Sequence, residues 1–465
     1  MSGTGGRRAA PRASRRRRPS PLILLGAGMV GVSVLALALQ ATPATEPADG
    51  DRAPQTVALS TLDLACPAGP GAVRVARLGE PTDAEGEVSL RVGDAEEPTP
   101  LELAAGASAS ESSDSAVAVR GSGQAAVGLV AAREVTSSDV AAVECLSPSG
   151  EQWFVGAGAG GLRTSELTLS NPDPRPAVAD LEVFSADGPV SSALVRGVSV
   201  EGRGSTRLDL SEVVPERGEI AFRVVPRQGR LVPSVRDTLD AGKAQQRDWL
   251  PATAAPAEVL QLPAMPGRAD SSVLVLVNPG TDAGRARVTI TGAESEAVPV
   301  GLSEIAVPAG AVVTVDLTKR IADLVKAGES TVTVRGTVPL AGSLRAEVDG
   351  DLVHLAAVAP IAGATGRGAS GQVVPDAERR LLVLSATERS APVTVHFVGG
   401  EAWEGRLRPE QSTRVPVPKG ATALWVETSA EHVGAIRAAG GKGTAWLPLR
   451  ALPSERLVAD VQPAR

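Results

Sequence analysis

From residue 61 to about residue 450 the chain alternates apolar and polar positions in short runs, broken every few residues by Gly, Pro, Ser or Asp. Period-two runs between turn residues predict half-buried β-strands. Two stretches share one plan: LTLSNPDPRPAVADLEVFSADG from Leu167 and LVLVNPGTDAGRARVTITGAE from Leu274. Each is an alternating strand, an Asn-Pro turn and a second alternating strand. Asn171 and Asn278, which open those turns, are the only asparagines in the sequence.

LLVLSATERSAPVTVHFVGGE from Leu381 repeats the plan with Ala386-Thr387 in place of Asn-Pro, and VRVARLGEPTDAEGEVSLRV from Val73 is a degenerate version. Every copy closes on a second shared pattern of strand, polar turn and strand: AVAVRGSGQAAVGLVAA, IAFRVVPRQGRLVPSVRD, VTVRGTVPLAGSLRAEV and ALWVETSAEHVGAIRAA. Related segments around Trp153, Trp249, His354 and Trp446 end the copies. The period is about 100 residues, with about seven strands per copy, the spacing of an antiparallel sandwich.

The reading is a mainly β chain of tandem antiparallel β-sandwich modules at 61–159, 160–257, 258–369 and 370–455, with a tail at 456–465. The alternative is a closed β-propeller in which each copy supplies two blades, and it requires the chain near residues 61 and 450 to meet. One helix is predicted from Asp316 as N-cap, with Ile321, Leu324 and Val325 on its apolar face and Gly328 as its stop.

The amino terminus has a different pattern. Arginines 7, 8, 12 and 15–18 precede an uncharged apolar run at 22–39, and no acidic residue appears before Glu46. At 1.5 Å per residue that run makes a helix of about 27 Å, close to the hydrocarbon thickness of a bilayer. Residues 1–20 read as a basic cytoplasmic tail, 21–41 as a single transmembrane anchor and 42–60 as a linker, with the remainder exported. The competing reading is a cleaved signal peptide and a secreted product, since small residues follow the apolar run.

Removing those seven arginines from the formal charge of −7 leaves −14 on the remainder. An acidic body with 2% aromatic residues and no Tyr argues against nucleic-acid binding. Cys66 and Cys145 are the only cysteines. An even pair beyond an export segment reads as one disulfide, and two thiols do not fill a tetrahedral zinc site.

Chemistry-bearing motifs are few. No G-x-S-x-G elbow, H-E-x-x-H, P-loop or EF-hand loop occurs. A triad would have to use His354, His396 or His432, and a carboxylate pair would draw on Asp187, Asp209, Asp237, Asp316 or Glu347. Turn and strand positions make structural roles the expectation for all of them. The segment at Leu250-Pro251-Ala252-Thr253 resembles a sorting signal, but Ala254 stands where Gly is needed. Trp153, Trp249 and Trp446 either form a saccharide platform or plug cores and joints, and their matched places at module ends favour the plug.

The tract of NPG, AGRARVTI, IAVPAGAVVTVDL and VTVRGTVPLAGSLRAE from Leu274 is similar to immunoglobulin-like modules of exported bacterial proteins. The whole plan of basic tail, apolar segment, Cys66-Pro67, a Trp-Phe-x-Gly boundary at Trp153 and Asn-Pro modules resembles an actinobacterial family, domain-of-unknown-function family five-seven-one-nine. That resemblance implies an exported envelope protein and supplies no catalytic residues. The expectation is a non-enzymatic, single-pass membrane protein with its amino terminus inside, no cofactor, no catalytic or metal site, and an envelope protein as partner. Carbohydrate binding and an enzyme with an unrecognised site are the alternatives.

Overall fold

The alternation becomes strands in which every second side chain is buried, as in Arg163–Ser170 and Ala391–Val398. The computed structural model describes residues 55–458 except 80–84, 137–139, 241–244, 326–327, 365–367, 442 and 453. The arginine block and the apolar run at 22–39 lie outside the described residues. Among the described residues no helix is long and apolar enough to cross a membrane. Residues 57–456 cluster as one unit, and 1–56 with 457–465 as another, of which only residues 55, 56, 457 and 458 are described.

The repeat seen in the sequence is a repeat of topology. In the first module the strands are Thr61–Cys66, Ala72–Arg77, Gly86–Val92, Thr99–Leu101, Ala107–Ser112, Val117–Gly123, Leu129–Val135 and Ala141–Glu144. Strands one, six, three and four form one antiparallel sheet, and strands five, two, seven and eight form a second. The same two orders recur in the modules beginning at Gln152, Ala257 and Ser370. In the third module strands six and seven are one continuous strand, Ser330–Val348. An immunoglobulin sheet sets its seventh strand beside the sixth; here the seventh pairs with the second. Gln152–Gly160 pairs with Arg163–Ser170 and Gly218–Gln228, so Trp153 opens the second module instead of closing the first.

Within each module the facing sides of the two sheets share a core. In the second, Phe154, Leu181 and Phe222 of one sheet meet Leu167, Leu169 and Val235 of the other. The asparagines knit the turns at the end of this core. The Asn171 side-chain amide donates to the Arg175 carbonyl (2.7 Å) and its Oδ1 accepts from the Asp173 N–H (3.0 Å). Asn278 repeats both contacts with Asp282 and Gly280. A buried side chain that both donates and accepts in this way satisfies carbonyls that the turn would otherwise orphan.

The outward faces are not left to water, because the modules pack on one another in a propeller-like ring of four. Trp153, Val155 and Ala221 of the second module meet Val275, Val277 and Ala341 of the third. Gly156 makes this approach possible: it has φ +88° at a bulge, and a Cβ there would lie 2.9 Å from the Ser343 hydroxyl. Trp446 of the fourth module enters the third and donates to the Pro263 carbonyl (2.8 Å). Val373 and Trp425 of the fourth pack on Leu78 and Val130 of the first. The Leu59 N–H donates to the Ser454 carbonyl (2.8 Å), so the two ends of the ring meet. The eighth strands of the four modules adjoin one another in a cycle.

Cys66 and Cys145 form a disulfide across 79 positions and tie the two sheets of the first module together. The helix predicted from Asp316 is shorter than expected. One turn, Thr318–Ile321, is helical, and the Asp316 carboxylate accepts from the Thr318 N–H (2.9 Å). The Ile321 carbonyl then serves both Leu324 and Val325, so the chain tightens into turns that keep Ile321 and Val325 in the third core.

Candidate functional site

The polar residues singled out by type are drawn to the inner side of the ring and to its turns. Asp237 lies on the seventh strand of the second module, in register with Asp248 on the eighth. Its carboxylate accepts from Arg163 Nη2 (2.7 Å), from the Ser165 hydroxyl (2.6 Å) and from His354 Nε2 of the third module (3.0 Å). Burial alone would raise its pKa, but the hydrogen bond from His354, with the charge of Arg163 and the hydroxyl of Ser165, holds it well below the usual carboxylate range. His354 is pushed down by burial, so it stays neutral and donates from Nε2. Asp248 accepts from the His354 backbone N–H (3.0 Å), and its pKa is pushed well up by burial and then by Asp351.

This arrangement holds charge without exposing it. Asp237 is 0% and His354 2% accessible, and Ser165 donates to the carboxylate instead of to the imidazole, so no activated nucleophile results. His432 comes closer to a dyad. Its Nδ1 faces the Ala430 carbonyl (3.2 Å), which only accepts, leaving Nε2 to accept from the Ser370 hydroxyl (2.8 Å). Both residues are fully buried, with no approach for a substrate. His396 stacks on Trp425 with ring centroids 4.7 Å apart.

The remaining carboxylates serve turns and ends. Asp209 caps the helical turn Leu210–Val213 by accepting from the Ser211 N–H (2.8 Å), Glu347 accepts from the Ser271 hydroxyl (3.0 Å), and Asp187 makes an exposed pair with Arg217. Trp153, Trp249 and Trp446 are 3%, 6% and 4% accessible, too buried to offer a stacking face. Trp249 carries the Arg236 guanidinium over its ring (4.3 Å) and packs against Gly69 of the first module.

Sequence reasoning missed the residue that each module contributes at one position. Arg133, Arg236, Arg345 and Arg437 occupy the same place on the seventh strands, opposite Val143, Trp249, His354 and Trp446. Arg345 pairs with Glu219 of the second module, and Arg437 with Glu329 of the third (2.7 Å). Arg133 turns instead to carbonyls of its own module, including those of Pro67 (2.6 Å) and Gly69 (2.7 Å). The repeated arginine lies inside three of the four closing patterns of the sequence and directly after the first.

Two open spaces adjoin these networks. A cavity of about 500 Å³ is lined by Asp248 together with Arg236, Arg247, Trp249, Asp349 and Asp351. A cleft of about 290 Å³ next to the disulfide is lined by Leu62, Leu64, Leu129, Gln372 and Arg450. At its rim Arg450 pairs with Glu144, whose pKa burial pushes up against the pull of that arginine. Among the described residues no cluster of three or more His, Cys, Asp or Glu could hold a metal ion.

A family model described as a family of unknown function (DUF5719) matches residues 105–424. No curated protein matches the chain.

Proposed function

The chain belongs to DUF5719, a family of unknown function that brings no activity with it, and we propose that the protein is a non-enzymatic, membrane-anchored component of the cell envelope that acts by contact. The observation carrying this reading is the use of its polar side chains. His354, Asp237 and His432, the groups that catalysis would draw on, are buried in joints and cores. The Cys66–Cys145 bridge supports an oxidising compartment, and thus export past the apolar run at 22–39.

Each two-sheet module is read as an immunoglobulin-like variant in which the outer faces join neighbours instead of water. A ring of such modules is a stiff body, suited to presenting turns to an envelope protein or to holding one away from the membrane. A standard interface needs only about 800 Å² from each partner. Crosslinking in the native envelope tests the reading. Specific protein adducts and membrane partition with an intact amino terminus are expected, whereas turnover of a wall component or release of a truncated form into the medium would overturn it.

A further inference from the structure

Apolar clusters span three of the joints in the ring. Among the described residues no such cluster spans the joint between the first and second modules, where a cleft of about 230 Å³ opens instead. We propose that this cleft binds an oxyanion, a phosphate or carboxylate group, between Arg91 and Arg120 of the first module and Arg203 and Arg230 of the second.

The cleft holds more positive charge than it neutralises. Arg230 forks onto Asp173 (2.6 and 2.8 Å) and reaches Asp63 (3.1 Å), which lies 3.6 Å from Arg120. Those two carboxylates are thereby used. Glu96 on the lining is exposed, as are Arg120, Arg203 and Arg230, so the four guanidinium groups face three carboxylates across an open cleft with one positive charge in excess. Arg91 donates to the Pro172 carbonyl (2.6 Å), a neutral acceptor, and its pKa is pushed down by burial and by the charge of Arg203. Arg203 makes no side-chain hydrogen bond or ion pair among the described contacts. Guanidinium groups from both modules line the cleft, and a guanidinium fork matches the geometry of an oxyanion.

The turn that carries Arg203 fixes where its side chain enters the cleft lining. The turn before the fifth strand places a residue in the left-handed region in every module, at Gly106, Arg203, Gly310 and Glu410. Two modules use glycine, which adopts that conformation freely, while an L-residue gives up about 1 kcal/mol there. The second module holds Arg203 at φ 58° even so, fixed by its N–H to the Asp173 carbonyl (2.8 Å), in the turn pinned by Asn171. The fourth module holds Glu410 in the same conformation at φ 64°, so the strain belongs to the turn, and what sets the second module apart is that its turn residue is a cation lining the cleft. The chain's net charge of −7 disfavours a long polyanion, so the ligand is a small anion or a single anionic group.

This inference goes beyond the contact reading and stands without it. The test is calorimetric titration of the full-length protein with inorganic phosphate at constant ionic strength, with acetate as a second arm, comparing wild type, Arg203→Gly and Arg91→Gln. Glycine suits the turn, so Arg203→Gly keeps or raises the thermal midpoint and leaves a folded protein to measure. Saturable binding of either anion, weakened about tenfold or more by Arg203→Gly, supports the site. Absence of binding by both anions, or binding unchanged in both variants, overturns it.

Discussion

Arg345 of the third module and Glu219 of the second close an ion pair across the joint between their modules, and Glu219 also accepts from Arg163 of its own module (2.7 Å). One joint further on, Arg437 and Glu329 repeat the pairing. Glu219→Gln would leave Arg345 without its carboxylate and beside Arg163, which keeps only Asp237, in a largely buried place. Breaking such a pair costs about 3–5 kcal/mol, because the remaining charge is uncompensated. Glu329→Gln uncovers Arg437 alone and should cost less. Urea unfolding of both variants checks the order, and equal losses would count against the doubled role of Glu219.

The two buried aspartates of the central network give opposite pH dependences. Asp248, raised by burial and by Asp351, keeps its proton in the folded state above about pH 4, where the unfolded chain gives it up. Its contribution to stability therefore falls as pH rises through that window. Asp237, held low, contributes above its unfolded value and loses that contribution as pH falls through its folded one. Asp248→Asn, which can still accept from His354 N–H, should raise the thermal midpoint more at pH 8 than at pH 5. A gain independent of pH would contradict the assignment.

Reducing the Cys66–Cys145 bridge releases a closure of 79 positions, which loop entropy values at about 4–5 kcal/mol. The effect should concentrate in the first module, whose fifth strand, Ala107–Ser112, has no fully buried residue. Hydrogen exchange with and without reductant is expected to show lost protection at 61–144 before the other modules. Uniform loss over the ring would mean that it unfolds as a single unit.

A module cut from the ring should fare poorly. Residues 257–356 alone would expose Val275, Val277 and Ala341 on one face and the Trp446 socket at Pro263 on the other. Each fully buried side chain of that size contributes roughly 1.5–3 kcal/mol. The fragment is expected to bind a hydrophobic dye or self-associate, while a fragment that is monomeric and fully folded would show that the joints matter little.

Much of this architecture is legible in the sequence. The Asn-Pro turns marked equivalent positions because Asn171 and Asn278 perform the same hydrogen-bonding task, and the cysteine pair was unambiguous by count. Ring closure was harder to read, although a sign of it was present. Leu274, Val275, Leu276 and Val277 are apolar without interruption because Leu274 and Leu276 enter the module's own core while Val275 and Val277 enter the neighbour's. A continuous apolar run marks a strand covered on both faces. The arginine cleft left no such trace, since Arg91, Arg120, Arg203 and Arg230 are scattered in sequence and gathered only by the meeting of two modules.

The contact of Leu59 with Ser454 has a consequence for how the gene could be cut. Where a body closes on itself, the order of its parts around the circle is physical, but the point at which translation begins is not. A short bridge from residue 454 to residue 59, with new ends opened between residues 250 and 257, would encode the same four modules in the order two-one-four-three read backwards around the ring, or three-four-one-two read along the chain. Such a permuted gene retains the neighbours of every module.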